Sequence, residues 1–125
     1  MIKKYFLYVL IFLTLIAGVA KSGWEEIGTS ESLTLYYDPT LTKEERGIKY
    51  IWVLTDIKVS DRDYKSRIVQ LALDCTRDST KTLNMYLYSN NMGKGEIIRK
   101  HENIETEWKA KVPGSVGFSI VKKSC

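Results

Sequence analysis

The side chains that could perform chemistry in this sequence are few and scattered. His101 is the only histidine, and it lies in a charged run at 99–102, Arg-Lys-His-Glu. A catalytic or metal-binding histidine needs a partner group within reach, and the sequence offers no evident candidate. Such a run is typical of an exposed surface, so we predict no catalytic residue, no metal and no cofactor.

Three short motifs resemble ion-binding, phosphate-binding or catalytic motifs only superficially. The run Asp-Arg-Asp at 61–63 lacks the repeated oxygen ligands and the glycine of a calcium loop, which favours a plain turn. The Gly-Lys-Gly run at 93–95 does not open a helix after a strand, as a phosphate-binding loop would, and is interpreted as a hairpin tip. Ser115 follows Pro-Gly rather than lying in a nucleophile elbow, so its predicted role is a helix cap.

Aromatic residues are the more informative group. Six tyrosines and three tryptophans are many for the roughly 103 residues from position 23 onward: Tyr36, Tyr37, Tyr50, Tyr64, Tyr86, Tyr88, Trp24, Trp52 and Trp108. Adjacent tyrosines on a strand point to opposite faces, so some should face solvent and favour protein or glycan binding; the alternative is that they fill the core and rim of a small sheet. A basic set around one turn could add a patch, although interspersed aspartates favour a solvated surface. The candidate binding surface comprises Tyr36, Tyr64, Tyr88, Lys58, Arg62 and Lys65.

The N-terminus has the three-part plan of a secretory signal peptide. A short basic start is followed by an uncharged apolar stretch at 5–20 and by small residues, and Lys21 ends the stretch. The stretch is shorter than a membrane span needs, which favours cleavage over a permanent anchor. Cleavage after Ala20 or after Ser22 fits, so we predict a signal peptide at 1–22 and a mature domain at 23–125. No cysteine lies near the cleavage region, so we predict that the chain is not a lipoprotein.

The mature domain is nearly neutral and large enough for one core. The formal charge of the whole chain is +4, but three of its lysines belong to the signal segment, which leaves about +1. A strong basic excess is absent, so we predict no nucleic-acid partner. About 103 residues remain after cleavage, enough for one domain and too few for two. Membrane contact is predicted only through the uncleaved signal.

Two cysteines in an exported domain indicate one disulfide, between Cys75 and Cys125. The bridge would attach the last residue to the middle of the domain. The alternative is a pair of free thiols that react or bind metal. The sequence has no Cys-x-x-Cys motif and only one distant histidine, which makes a poor metal site.

Alternating apolar residues predict a series of strands. They fall at 33–37, 48–59, 67–75 and 83–88, with a shorter one from Ile97; the strand at 48–59 is apolar on both faces, as expected of a central strand covered on both sides. Residues 40–47 are predicted as a turn with one helical turn. The period changes after Pro113, and a short helix is predicted at 115–123. The fold class is mainly β (α+β): an antiparallel sheet of about five to seven strands with a C-terminal helix packed on it.

These pieces in this order resemble the surface-adhesin protein E family of small bacterial envelope proteins. The resemblance spans most of the mature chain and ends in Pro-Gly-Ser, a short amphipathic stretch and a final cysteine. The matching pieces are Trp24, Tyr36-Tyr37-Asp38, Trp52, Leu73-Asp74-Cys75 with Arg77, Tyr86-Leu87-Tyr88, Trp108, Val112-Pro113-Gly114-Ser115 and Cys125.

The resemblance implies an antiparallel β-fold with a docked C-terminal helix, an envelope or surface location and no enzyme chemistry. It also implies binding to host matrix or plasma proteins. The adhesin that gives the family its name is lipid-anchored, whereas this sequence lacks the cysteine to which the lipid would be attached. The predicted function is an exported, non-catalytic binding module for a host or envelope protein. The alternative is a periplasmic accessory or enzyme-inhibitor domain that binds an endogenous or invading protein.

Overall fold

The computed structural model describes residues 23–59 and 62–125, so the predicted signal peptide at 1–22 lies outside the described residues. Within them, eight strands form one antiparallel sheet with one α-helix packed on it. The strands are β1 (Glu25–Thr29), β2 (Leu33–Tyr37), β3 (Lys43–Glu45), β4 (Ile48–Ile57), β5 (Ser66–Asp74), β6 (Ser79–Tyr88), β7 (Ile97–His101) and β8 (Lys109–Ala110), and the helix is α1 (Val116–Ser124). Two 3-10 turns, Pro39–Leu41 and Asn91–Gly93, complete the elements.

The main strands lie in the order β1-β2-β4-β5-β6-β7. Strand β3 pairs with the start of β4, and β8 pairs with the start of β6. This arrangement confirms the predicted fold class and places β4 and β5 at the centre of the sheet. The described residues form eight strands rather than five to seven because the short strands β3 and β8 lie in polar segments whose sequence carries no alternation.

The prediction for residues 40–47 was wrong in part. A 3-10 turn forms early, with the Asp38 side chain accepting a hydrogen bond from the Thr40 amide at 2.9 Å. The rest of the segment is β3, which returns into β4 through a two-residue turn. Arg46 (φ 53°) and Gly47 (φ 80°) both adopt left-handed backbone, which is the geometry that joins two antiparallel strands in a tight hairpin.

The core lies between the sheet and α1. Ser115 is the N-cap of the helix, as predicted, and its Oγ accepts a hydrogen bond from the Phe118 amide at 3.1 Å. Val116 and Ile120, one helical turn apart, pack against the sheet. Burial of these apolar side chains is what holds so short a helix in place. The buried cluster consists of Leu35, Ile51, Val53, Val69, Leu71, Leu73 and Ile120.

A disulfide joins Cys75, just after β5, to Cys125, just after α1. The two Cα atoms lie 5.7 Å apart, and the bridge confirms the predicted pairing. Lys49 adds a second tie, because its Nζ donates to the Ser124 carbonyl oxygen at 2.7 Å. The C-terminal end of the helix is therefore fixed to the sheet both covalently and by a charged hydrogen bond.

The opposite face of the sheet is covered unevenly. The prediction that β4 has cover on both sides holds for Leu54, which is fully buried. Towards the start of the strand, Tyr50 and Trp52 remain half-exposed. In the described part of the chain, the only α-helix packs on the other face, so no helix covers Tyr50 and Trp52.

Candidate functional site: the aromatic face of the sheet

Five aromatic side chains share the sheet face opposite α1. Directly paired residues of neighbouring strands point to the same face. The register places Tyr36, Leu54, Ile68 and Tyr86 in one row across β2, β4, β5 and β6. Alternation along the strands then adds three further rings to the same face. We call this set the aromatic face: Tyr36, Tyr50, Trp52, Tyr86 and Tyr88, all half-buried.

The centre of the aromatic face combines a tilted pair of rings with fixed amides. The rings of Trp52 and Tyr86 lie 6.3 Å apart, tilted by 31°. Beside them, the Asn84 amide donates to Gln70 Oε1 at 2.7 Å, and its oxygen accepts from the Asn103 backbone amide at 2.8 Å. Both amides are held by these bonds, so the centre of the face is ordered before any partner arrives.

Two phenols of the face have raised pKa values. Partial burial raises the pKa of Tyr86, and the hydrogen bond from its hydroxyl to Glu102 Oε2, at 3.1 Å, raises it further. Partial burial also raises the pKa of Tyr36, with the nearby charges of Glu26 and Asp56 acting in the same direction. Both hydroxyls therefore stay protonated at neutral pH and can donate hydrogen bonds.

The β6–β7 loop closes one end of the aromatic face. It folds back over β4 and β5 and is held by two of their polar side chains. Asp56 Oδ1 accepts from the Met92 amide at 2.8 Å and from Asn91 Nδ2 at 3.0 Å. Ser66 Oγ, fully buried, accepts from the Gly93 amide at 2.9 Å. The predicted hairpin tip does connect β6 to β7, and it packs over Leu54 and Ile68 as a lid.

The other end of the face opens into a shallow pocket of about 370 Å³. Next to it, Lys81 donates to Glu105 at 2.9 Å and lies 4.9 Å from the centre of the Trp108 ring. Trp108 remains 41% exposed. The pocket has one aromatic residue in its wall, Tyr50, and the other residues are mostly polar. Its lining consists of Tyr50, Gln70, Leu83, Asn84, Asn103 and Glu105.

The structure brings only part of the predicted binding surface together. Tyr36 and Tyr88 lie on the aromatic face. Tyr64 does not fit the prediction, because it is only 8% exposed. Its hydroxyl accepts from Arg62 at 2.6 Å, and the Arg62 and Arg99 guanidinium groups lie 5.7 and 5.8 Å from its ring centre. Burial beneath two arginines leaves Tyr64 little area to offer a partner.

The three predicted basic residues lie around the turn between β4 and β5. Lys58 donates to Thr29 Oγ1 at 2.7 Å and to the Ser30 carbonyl oxygen at 2.8 Å, which ties it to the β1–β2 turn. Arg62 is engaged by Tyr64. Lys65 is exposed, and its backbone bonds to β6 at Tyr88. These contacts give Lys58 and Arg62 structural roles at the end of the sheet.

The predicted binding surface did not include three residues of the aromatic face: Tyr50, Trp52 and Tyr86. Alternation along β4 places Tyr50 and Trp52 on the face opposite the buried Ile51 and Val53, but because both faces of the strand are apolar it does not show which face lacks a helix. Register across strands was also needed, since it alone shows that Tyr86 of β6 lies near Trp52.

The other candidate chemical groups of the sequence are His101 and the Asp-Arg-Asp run at 61–63. His101 lies exposed on β7, paired with Met85 of β6. Asp63 accepts two hydrogen bonds from Arg99, at 2.8 and 2.9 Å, and this pairing lowers the pKa of its carboxyl. Asp61 lies outside the described residues. Among residues that the structure describes, no three His, Cys, Asp or Glu side chains are grouped to hold a metal ion.

The sequence of this domain matches a known protein family. The family model described as surface-adhesin protein E matches residues 24–125, nearly the whole domain. The chain belongs to the surface-adhesin protein E family. No curated protein matches it in sequence. None of the helices in the described residues is long and apolar enough to cross a membrane.

Solved structures with the same fold include protein E of Haemophilus influenzae. Its crystal form II has a TM-score of 0.66 and 12% identity, with 85% of this chain and 89% of that chain covered. Its selenomethionine form has a TM-score of 0.60 and 11% identity, covering 85% and 88%. At these identities the likeness shows the fold of the surface-adhesin protein E family and nothing finer.

Proposed function

We propose that this chain is an exported, non-catalytic binding module that attaches to a host or envelope protein through its aromatic face. The observation that carries the proposal is the set of five half-buried tyrosine and tryptophan rings on the sheet face opposite α1. Membership of the surface-adhesin protein E family supports the same role.

The side chains of the aromatic face suit a protein partner. Tyrosine and tryptophan offer large apolar area with a polar tip and lose little rotamer entropy on binding, which makes them common anchors of protein interfaces. Trp52 and Tyr86 already contact each other, and Tyr86 is held by Glu102. A partner would therefore meet a surface that is ordered in advance.

The charges around the face are mixed. Glu26 and Lys100 lie at the two ends of the row that contains Tyr36 and Tyr86. Opposite signs at the two ends give weak long-range steering, so we expect binding that depends little on salt and mainly on apolar contact.

Binding of the mature domain to immobilised matrix and plasma proteins tests the proposal. A Trp52→Ala, Tyr86→Ala double variant should lose affinity by at least about tenfold, because central aromatic anchors dominate such interfaces. Phe118→Ala is the matched control, since Phe118 is a half-exposed aromatic residue of α1 on the other face. Equal loss in both variants, with all proteins folded by circular dichroism, would contradict the assignment of the face.

Export and display are tested separately. The N-terminus of the purified envelope form should begin at Lys21 or Gly23, as cleavage of the predicted signal requires. Mass spectrometry that finds an intact Met1 or an acyl group would contradict this. Protease treatment of intact cells should remove a displayed protein. A protected protein that binds no matrix component would favour the periplasmic accessory or inhibitor role instead.

A further inference from the structure

The sheet face beneath α1 contains a cleft that the proposed function does not use. Its volume is about 310 Å³, and it is bounded by β2, β4, β5 and β6 below and by α1 above. Eight of its lining side chains are aliphatic or methionine: Leu33, Leu35, Val53, Val69, Leu71, Met85, Val116 and Ile120.

One arginine interrupts this apolar lining. Arg67 lies on β5, paired with Thr55 of β4 and Leu87 of β6, and so points into the helix side of the sheet. Its Nε is buried and has no hydrogen-bond partner among the residues that the structure describes. No ion pair between described residues includes Arg67.

The buried Arg67 side chain has no carboxylate beside it among the residues that line the cleft. A buried N–H without an acceptor costs free energy, and the guanidinium fork matches a carboxylate in geometry and charge. Lys111 also lines the cleft, whereas no aspartate or glutamate does. A smaller cleft of about 130 Å³ shares Leu33, Thr55 and Arg67 with the first, so Arg67 lies where the two meet.

We propose that this cleft binds an anionic amphiphile with a single alkyl chain, a fatty acid, whose carboxylate pairs with Arg67. The chain lies on the apolar floor of the cleft under α1, and the carboxylate accepts from Arg67 Nε. The volume is at the small end of ligand sites, which suits one alkyl chain rather than a polycyclic molecule. This inference concerns the opposite face of the sheet and does not rest on the proposed adhesive role.

The test is isothermal titration calorimetry of the delipidated mature domain with decanoate, below its micelle concentration. We expect one site per chain. Decanol, which keeps the chain but lacks the charge, should bind at least about tenfold more weakly, and acetate, which lacks the chain, should show no binding. Absence of decanoate binding, or equal binding of decanol, would overturn the proposal.

Variants separate the anion contact from folding. Arg67→Gln should lower decanoate affinity by about tenfold or more, and Arg67→Lys by less. Arg77→Gln is the matched control, because that arginine's side chain is 82% exposed and lies outside the cleft. The Nε–H resonance of Arg67 should move on addition of decanoate. If Arg67→Gln binds as the wild type does, or the resonance stays still at saturation, the carboxylate site is wrong.

A second variant tests the cleft itself without touching its charges. Gly117 of α1 lines the cleft, and an added Cβ would have ordinary contact, 3.6 Å, with Lys111 Cδ. Gly117→Leu should therefore keep the fold, favour the helix and fill the space. We expect it to unfold at the wild-type temperature or above and to bind decanoate at least about tenfold more weakly. Undiminished binding by this folded variant would place the ligand elsewhere and overturn the proposal.

Discussion

Gly93 occupies a position in the β6–β7 loop that larger residues fit only with strain. Its φ is 66°, and a Cβ built there would lie 2.9 Å from Ile68 Cδ1. Gly93→Ala should therefore destabilise the domain by about 2–3 kcal/mol, through the left-handed backbone and the clash together. Gly47→Ala is the matched control: its φ is 80° but nothing lies within 4 Å, so about 1 kcal/mol is expected. Equal losses in denaturant unfolding would contradict the packed lid.

Asp63 and Arg99 form the ion pair that holds Arg99 near the Tyr64 ring. The hydrogen bond from Arg99 lowers the carboxyl pKa in the folded state. The stability it adds is therefore present above the unfolded pKa of about 4 and lost as pH falls through the lower, folded value. Asp63→Asn should be slightly less stable than the wild type at pH 7, and the difference should vanish in acid.

The control for this pH effect is Asp78→Asn. Asp78 is exposed and takes part in no ion pair among the described residues, so its removal changes the net charge equally without breaking a bond of this kind. Urea unfolding of the three proteins across the acid range gives the comparison. A difference for Asp63→Asn that persists or grows in acid would show that the pair does not act through the carboxylate charge.

At the scale of elements, α1 depends on its attachments. A helix of nine residues is too short to persist alone in water. It is held by the Ser115 cap at its start, by Ile120 in the core and by the Cys75–Cys125 bridge at its end. The cap and the bridge act at opposite ends, so losing one leaves the other in place.

Removal of the bridge should loosen the C-terminus first. Cys75→Ser, Cys125→Ser and the double variant should each lose roughly 2–5 kcal/mol, and alike, because each removes the same constraint on the unfolded chain. Denaturant unfolding with and without reductant measures this, and reductant should bring the wild type to the level of the variants. A wild type that ignores reductant, or that carries two titratable thiols when native, would contradict the pairing.

At the scale of the whole molecule, strand alternation, the change of period after Pro113 and two cysteines were enough to predict the antiparallel sheet, the helix and the bridge. Strand β3 escaped prediction because Lys43–Glu45 carries no apolar alternation, and its pairing depends on the Arg46–Gly47 turn. The aromatic face was predicted only in part, because its membership also depends on how the strands pair. Which rings meet depends on register across β4, β5 and β6, including a bulge between Gln70 and Leu71, and no single strand encodes that.

Tyr64 was predicted to be part of an exposed surface, whereas the structure buries it. Its charged neighbours in sequence suggest exposure, yet it is buried because Arg99, thirty-five positions along the chain, returns on β7 to lie near its ring. Burial of this kind is a tertiary effect. A sequence can supply the residue types of a surface, whereas the pairing of distant strands decides which of them face a partner.

Hydroxyl-radical footprinting of the domain with a matrix or plasma protein that it binds tests the aromatic face most directly. Radical oxidation reports the solvent exposure of individual side chains, so the two faces of the sheet can be compared in one experiment. The account predicts that oxidation of Trp52 and Tyr86 falls several-fold in the complex, while oxidation of Phe118 on α1 is unchanged. Protection of Phe118 with Trp52 and Tyr86 still oxidised as in the free protein would contradict the account.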